Sequence, residues 1–349
     1  VRDKQGRKMS KSLGNSPDPL ELIEKFGADG VRVGMLLTSP AGNDLPYDDS
    51  LCEQGRNFSN KIWNAFRLVK GWEVSDAAQP AHSAIATAWM RSRIELATAQ
   101  IDEQFAQFRI SEALMSTYKL IWDDLCSWTL ESIKPPFGEA IDRKTLEESI
   151  DLFEQVLKLL HPFMPFLSEE LWHLLRDRNE GNDSIIPAWP KSGAGDVKLD
   201  SEVQHAFDLV TAVRNLRNER GMSPKDAVSV QAKGQAPMRA TVASLVNRLA
   251  NVSAIGEGEQ AAEGAVTFLV GTTEYAVDLG IELDAEAEMK KVEEELKYAR
   301  GFLASVDKKL SNERFVAGAP PAVLDNERKK KADAEAKIKA LEERLTVLR

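Results

Sequence analysis

The strongest constraint in this sequence lies near its end. Met289, Val292, Leu296, Ala299, Leu303, Val306 and Leu310 recur at alternating intervals of three and four. After Ala317-Gly318-Ala319-Pro320-Pro321, a second set runs Ala334, Ile338, Leu341, Leu345 and Leu348. A seven-residue apolar repeat keeps one narrow stripe on a helix, and such a stripe is buried against another helix. Two heptad helices joined by a Gly/Pro break predict an antiparallel coiled-coil hairpin over residues 285–349. A seam this narrow fills no globular core, so the hairpin is expected to project.

From about residue 49 to 220 the periodicity is helical throughout. Leu114, Tyr118, Ile121, Leu125 and Trp128 are spaced four and three apart, and Leu146, Ile150, Phe153, Leu157 and Leu160 repeat the stripe. All seven tryptophans fall between Trp63 and Trp189, which predicts one antiparallel helical bundle with a shared core. Pro135-Pro136, Pro162 and Pro165 are expected at its corners. Residues 177–200, rich in Gly, Asn, Asp, Ser and Pro, are expected as a loop. Nearer the start, Asp18 before Pro19 predicts a capped helix that Gly27 ends, and Asp29 opens a second. After about residue 222 there is no further Trp. Val228 to Ala232 alternates as a strand, and Met238 to Ala250 reads as a helix. Val266–Val270 and Glu274–Val277 flank Gly271-Thr272-Thr273 as a hairpin. The fold expected is mainly α, with a small α/β module between bundle and hairpin.

The net charge is −10, from 45 Lys and Arg against 55 Asp and Glu. Summed over the chain, that argues against a nucleic-acid partner. The distribution argues otherwise. Residues 285–349 hold 15 basic and 13 acidic side chains, with a bunched run at Arg328-Lys329-Lys330-Lys331. Local patches, not a positive coat, are what the chain offers a polyanion. No run of eighteen apolar residues occurs, so no membrane helix is expected. No charged–apolar–small leader opens the chain, so no secretory signal is expected. Two cysteines, Cys52 and Cys126, are too few for a disulfide framework or a Cys-rich zinc site, and a reducing, cytoplasmic setting is expected. The abrupt start at Val1, in what reads as a short strand entering a turn, points to a piece of a longer chain.

Lys8-Met9-Ser10-Lys11-Ser12 carries the sharpest chemistry. Two ammonium groups three residues apart reach a polyphosphate from two sides, while hydroxyls and backbone N–H groups bond its oxygens. Such a clamp stabilises charge developing on a pyrophosphate leaving group. A solvated basic loop is the plainer reading of the same residues. With Leu13-Gly14-Asn15 behind it, the pentapeptide resembles the second signature loop, KMSKS, of the class I aminoacyl-tRNA synthetases. The resemblance implies a loop that closes over ATP, with its Mg2+, during amino-acid activation. Lys11 would be the chief stabiliser of the transition-state phosphates and Lys8 its support. The Met9–Ser10 backbone would lie near adenine and phosphates, and Ser12 would complete the ATP site.

Other segments narrow the family. Gly55-Arg56-Asn57-Phe58-Ser59-Asn60-Lys61-Ile62-Trp63-Asn64 is similar to the first bundle helix of the valyl, isoleucyl and leucyl subgroup. Asn57, Asn60, Lys61 and Asn64 share one polar helical face. With Arg56, the first three are candidates for tRNA contact; capping and packing between domains is the other reading. The segment from His161 to Trp172 also resembles that subgroup, with structural roles: a proline corner, a cap at Ser168 and a hydrogen-bonded His161 in place of a metal ligand. Arg214 and Arg217, with Asn218, share a helix face that suits phosphate contact or surface ion pairing. Leu310-Ser311-Asn312-Glu313-Arg314-Phe315-Val316, followed by Glu327 to Ala334, resembles the carboxy-terminal arm of the valyl branch. In that branch the arm reaches the outer corner of tRNA, where the D and T loops meet. Arg314, Arg328, Lys329 and Lys330 are its candidate contacts.

The resemblance implies four segments. Residues 1–48 end a catalytic domain, 49–221 form a helical anticodon-binding domain of class Ia type, 222–284 a small α/β linker domain, and 285–349 a coiled-coil tRNA-binding arm. No His-x-Gly-His signature occurs in these residues, and nothing reads as the nucleotide-binding core or editing insert. The chain is therefore expected to be inactive alone, meeting valine and ATP through a core it lacks and tRNA(Val) through its own surfaces. A monomer, with no protein-bound metal, is expected. Two other readings stand beside this one. The chain is a stand-alone tRNA-binding or coiled-coil scaffold protein with a vestigial loop, or it is part of an isoleucyl-type enzyme. Bacterial enzymes of that last type usually end in a cysteine-rich zinc module.

Overall fold

The computed structural model describes residues 1–3, 5–37, 44, 47–236, 238–258, 265–278, 285–312, 315 and 320–348, without the side chains of 285–288, 291, 321–322, 343–344 and 347–348. The chain is mostly helical with one small four-stranded sheet. It divides into two units, Val1–Ser201 and Glu202–Arg349.

In the first unit, Arg2 and Lys8 pair in a short antiparallel bridge whose turn passes through Gly6 at φ 76°. α1 (Pro19–Phe26) begins where the sequence places it, with Asp18 Oδ1 accepting the Leu20 N–H at 2.8 Å. Gly27, at φ 77°, ends it and α2 (Ala28–Leu37) follows. α2 meets α3 (Asp49–Lys70) at backbone contact. A Cβ on Gly55 would lie 2.3 Å from the Gly30 carbonyl oxygen, and one on Gly34 2.6 Å from the Cys52 nitrogen. Glycine is what permits so close a crossing. α4 (Ala81–Ala106), α5 (Ile110–Lys119), α7 (Arg143–Leu160) and α8 (Pro165–Leu175) surround a common core. Phe58, Ile94, Leu114, Phe153, Leu157 and Phe163 are each at most 1% exposed there. Two-residue strands β1 (Val74–Ser75) and β2 (Ile141–Asp142) pair in parallel beside it.

The structure departs from the expected helix after α5. The chain widens into π-helical turns over Leu120–Thr129 before the short α6 (Leu130–Ile133). Ser127 Oγ and Thr129 Oγ1 each donate at 2.8 Å to carbonyls five residues back, on Trp122 and Asp124. Ile121 and Leu125 remain buried, so the apolar spacing alone does not reveal the wider turn. The loop expected over 177–200 also ends early. Asp196 Oδ1 accepts the Leu199 N–H at 2.9 Å and α9 (Val197–Glu219) starts inside it.

The second unit is built on strands β3 (Val228–Lys233), β4 (Val252–Gly258), β5 (Val266–Val270) and β6 (Thr273–Asp278), in the order β4-β3-β6-β5. β3 and β4 are parallel, joined through α10 (Ala240–Ala250); β6 runs antiparallel to both β3 and β5. The hairpin expected at 266–277 is β5–β6. β4 is an addition to the sequence reading. It is an edge strand on which only Val252 is buried, so its residues carry little alternation. α11 (Ala285–Leu310) packs on α12 (Pro321–Leu348) along the heptad positions. Val292, Leu296, Ala299 and Leu341 form their buried cluster, flanked by Ile338 and Leu345. Arg300 pairs with Glu342 at 2.7 Å, Asp307 with Lys331 at 2.8 Å and Lys309 with Glu327 at 3.5 Å. Residues 317–319 of the expected break lie outside the described residues.

Candidate functional site

Asn15 organises the loop that carries Lys8 and Lys11. Its Oδ1 accepts the Ser10 N–H at 2.9 Å, while its Nδ2 donates to Asp3 Oδ2 at 3.0 Å and to the Lys8 carbonyl at 3.3 Å. Asp3 also accepts the Arg7 N–H and Nε–H, each at 2.8 Å. The Asn15 bond foremost, with Arg7 behind it, holds the Asp3 carboxyl down at a pKa of about 2. Ser10 then caps a 3₁₀ turn over Lys11–Leu13, its Oγ accepting the Leu13 N–H at 3.3 Å. Gly14 closes that turn at φ 63°, donating to the Lys11 carbonyl at 3.1 Å. Ser12 Oγ lies 3.2 Å from Ser10 Oγ. Lys8 and Lys11 are exposed, and among the described residues neither pairs with a carboxylate. The result is a hydrogen-bonded backbone bearing two exposed ammonium groups, a geometry that meets a polyphosphate without first breaking ion pairs to the described carboxylates. The sequence reading quoted Asn15 behind the pentapeptide but did not assign it this role.

On α3 the candidate residues divide. Arg56 braces α1: its Nη1 donates to the Lys25 carbonyl at 3.4 Å and its guanidinium sits 5.8 Å over the Phe26 ring. Asn57 and Asn60 are exposed. Lys61 Nζ lies 4.6 Å over the Trp122 ring, which stacks on Tyr118 at 5.4 Å and 7°. Asn57, Asn60 and Lys61 thus leave open polar ground beside an aromatic pair.

Arg214 and Arg217 do not form one exposed face. Arg217 is 3% exposed, and its guanidinium donates to the carbonyls of Ala250, Asp226 (2.7 Å) and Asn251 (3.1 Å). Arg214 donates to the Leu249 carbonyl at 2.8 Å and stays at the surface. Both donate to carbonyls at the end of α10, groups that a helix terminus leaves unpaired, and Arg217 also ties that end to Asp226 ahead of β3. For Arg217 this corrects the expected phosphate contact, because a guanidinium turned inward onto three carbonyls presents no donor to solvent.

On α12 the basic run is partly engaged. Arg328 pairs with Asp325 at 3.2 Å, Lys330 with Glu327 at 2.6 Å and Lys331 with Asp307 at 2.8 Å. Lys329 is exposed, with no carboxylate partner among the described residues. Arg314 lies outside the described residues. In the first unit, His161 Nδ1 sits 2.8 Å from both Ser168 Oγ and Ser184 Oγ. Nearby, His173 Nε2 lies 3.0 Å from Glu169 Oε1 and 3.3 Å from Asp183 Oδ1. Among the described residues this is the group of potential metal ligands that converges, and its spacing equally suits an imidazolium between two carboxylates.

Three family descriptions match the chain in order. Residues 1–48 match tRNA synthetases class I (I, L, M and V), residues 87–232 the anticodon-binding domain of tRNA ligase, and residues 284–349 the valyl tRNA synthetase tRNA binding arm. Taken in that order, the three matches place the chain among the class I tRNA synthetases. Its relatives then fix the branch, the valine–tRNA ligases. The chain is 51% identical over 349 residues to the valine–tRNA ligase of Phocaeicola vulgatus and 49% identical over 349 residues to that of Christiangramia forsetii. Each match covers all of this chain and 40% of the relative. Against the enzyme of Agrobacterium fabrum it is 33% identical, over 99% of this chain and 38% of the relative. The chain thus spans about two-fifths of the curated relatives, as a carboxy-terminal part of them.

Proposed function

We propose that the chain is the carboxy-terminal part of an enzyme that activates valine with ATP and Mg2+ and transfers the valyl group to tRNA(Val). The observation that carries this reading is the loop of residues 8–12, held by Asn15, with both ammonium groups free of carboxylate partners among the described residues. As valine attacks the α-phosphate of ATP, negative charge moves onto the departing pyrophosphate. Lys11, supported by Lys8, meets that charge, while Ser10, Ser12 and loop N–H groups bond the oxygens. A contact that strengthens in the transition state raises the rate of activation, not merely the affinity for substrate. The chain alone carries neither step, since the valine pocket is expected in the part of the relatives that it does not span.

The remaining segments supply tRNA contact. On this reading residues 49–221 are an antiparallel bundle that binds the anticodon stem, and 222–284 a linker. Residues 285–349 are an antiparallel coiled-coil arm. Partner numbers that fall from Glu342 to Glu327 as α11 runs from Arg300 to Lys309 support that arm. Asn57, Asn60, Lys61 and Arg214 are candidate tRNA-facing groups outside the arm, and Arg314, Arg328, Lys329 and Lys330 are those on it. The enzyme is taken as a cytoplasmic monomer. Among the described residues no helix is long and apolar enough to cross a membrane. Deleting residues 285–349 is expected to weaken binding to a tRNA transcript with a valine anticodon. Loss of the Arg328–Lys330 contacts reduces the log–log salt slope by roughly 2–3. Unchanged affinity and slope after the deletion would remove the arm from tRNA binding.

A further inference from the structure

Glu169, His173 and Asp183 bring three metal-binding atoms together in the first unit, one ligand atom from each lying within 4.8 Å of the other two. Glu169 and His173 stand four residues apart on α8, so the helix itself stacks them on one face. Asp183 comes from the loop that follows α8, and that loop is anchored on both sides of it. Trp172 Nε1 donates to the Asn182 carbonyl at 2.9 Å. Ser184, 3% exposed, donates its N–H to Glu169 Oε1 at 3.1 Å and its Oγ–H to Glu169 Oε2 at 2.6 Å. The Asp183 backbone is thus placed over α8 before any ion arrives. His173 Nε2 lies 3.0 Å from Glu169 Oε1 and 3.3 Å from Asp183 Oδ1. Nitrogen and oxygen ligands about 2.0–2.2 Å from a tetrahedral ion stand about 3.3–3.6 Å apart, so these two separations need shifts of only a few tenths of an ångström.

We propose that Glu169, His173 and Asp183 bind a Zn2+ ion through one atom each, with water at the fourth position, and that the ion staples the loop after α8 to that helix. The spacing alone also suits an imidazolium between two carboxylates; the surroundings favour the metal. A single Nε2–H makes one straight hydrogen bond, yet two carboxylate oxygens converge on that nitrogen. Two carboxylates so close repel, and a dication offsets both charges where an imidazolium offsets one. Ser184 orients Glu169 from behind, and its Oγ lies 2.8 Å from His161 Nδ1. Outer hydrogen bonds of this kind fix carboxylates that ligate metals. One imidazole with two carboxylates is a donor set for Zn2+, whereas Mg2+ takes six oxygens. The His173 and Asp183 side chains are 41% and 50% exposed, which leaves the fourth position open to water. The sequence reading expects no protein-bound metal, because a helical pair joined by a loop carboxylate ten residues on carries no metal-site signature. The staple lies within the first unit and does not rest on the synthetase reading.

The test uses the whole 349-residue chain, stripped with a chelator and dialysed, with zinc chloride as titrant in calorimetry. The parent is expected to bind one equivalent at this site. His173→Gln and Asp183→Asn are expected to bind roughly tenfold more weakly or worse, and Ser184→Ala roughly 10–100-fold more weakly through its lost hold on Glu169. Asp183→Asn changes only a half-exposed loop side chain, so it reads the site even if a change on α8 disturbs folding. Zn2+ is also expected to slow amide hydrogen exchange over residues 179–186 in the parent and not in Asp183→Asn. If the variants bind Zn2+ as the parent does, the ion sits elsewhere and the proposal is overturned. If Mg2+ at the same concentration protects the loop equally, with or without His173, the carboxylates act alone and the Zn2+ assignment fails. If no equivalent binds, while His173→Gln lowers the melting temperature of the metal-free chain, the group is an ion pair only and the proposal is overturned.

Discussion

Gly55→Ala probes the crossing that ties the loop-bearing segment to α3. The added Cβ would sit 2.3 Å from the Gly30 carbonyl oxygen and 2.9 Å from its carbonyl carbon and Cα. All three are backbone atoms, so no rotamer change relieves the clash. Moving from 2.3 Å to the 3.0 Å that real Cβ contacts respect requires α2 and α3 to part by at least ~0.7 Å. Overpacking of this kind costs about 1–3 kcal/mol. Alanine's better helix propensity returns about 0.5–1 kcal/mol. The net loss is roughly 1–2 kcal/mol, which for a unit of this size lowers Tm by about 2–8 °C. Differential scanning calorimetry of the intact chain reads it, in the transition of Val1–Ser201. Gly301→Ala is the internal control: with nothing within 4 Å of the new methyl, it should stabilise its helix by about 0.5–1 kcal/mol. A Gly55→Ala protein that melts at or above the parent temperature would refute the close-crossing argument.

Two other consequences are open to measurement. Burial pushes the His205 imidazole below its ordinary pKa of 6.5, against the opposing pull of Asp208. Its Nε2 lies 2.8 Å from the Tyr275 hydroxyl. The unfolded chain takes up a proton as pH falls through 6.5, while the folded chain does so only lower. This contribution to stability is therefore complete above 6.5 and lost on acidification. Urea midpoints of the second unit should fall between about pH 7 and 5, and less steeply in His205→Gln; a midpoint that rises with acid contradicts the assignment. Arg217→Met should destabilise the second unit by about 2–3 kcal/mol, because buried carbonyls at the end of α10 lose their donors. The salt slope of RNA binding should not move, and a slope that falls by a full contact would restore Arg217 to the RNA surface.

How far the sequence can be read depends on what its patterns encode. The stripe of Val292, Leu296 and Ala299 is visible because heptad spacing states which residues meet and with what curvature. The β5–β6 hairpin is visible because apolar strands flank a Gly-Thr-Thr turn. The π-helical turns at Leu120–Thr129 are not, since the residues that stay buried keep α-like spacing. β4 escapes for another reason: an edge strand needs little apolar alternation. The site divides in the same way. Lys8 and Lys11 stand out by composition, but Asn15's part depends on Asp3, twelve residues away, which no local motif encodes. Arg217 shows the limit of spacing arguments. Basic residues at i and i+3 share a side of a helix, yet the pattern does not say whether that side faces solvent or the carbonyls at the end of α10. The Gly30 and Gly34 pair on α2 is not singled out in the sequence, and its part in a close helix approach emerges only because the structure places Gly55 and Cys52 of α3 against it.

The most direct measurement replaces the matching carboxy-terminal part of the Phocaeicola vulgatus valine–tRNA ligase with this chain. Single-turnover formation of valyl-adenylate is then followed with Lys11 and with Lys11→Ala. The chimera should form adenylate, and Lys11→Ala should slow that step roughly a hundredfold or more while leaving the valine dissociation constant unchanged. Equal single-turnover rates, or an effect confined to valine affinity, would contradict the role given to the loop.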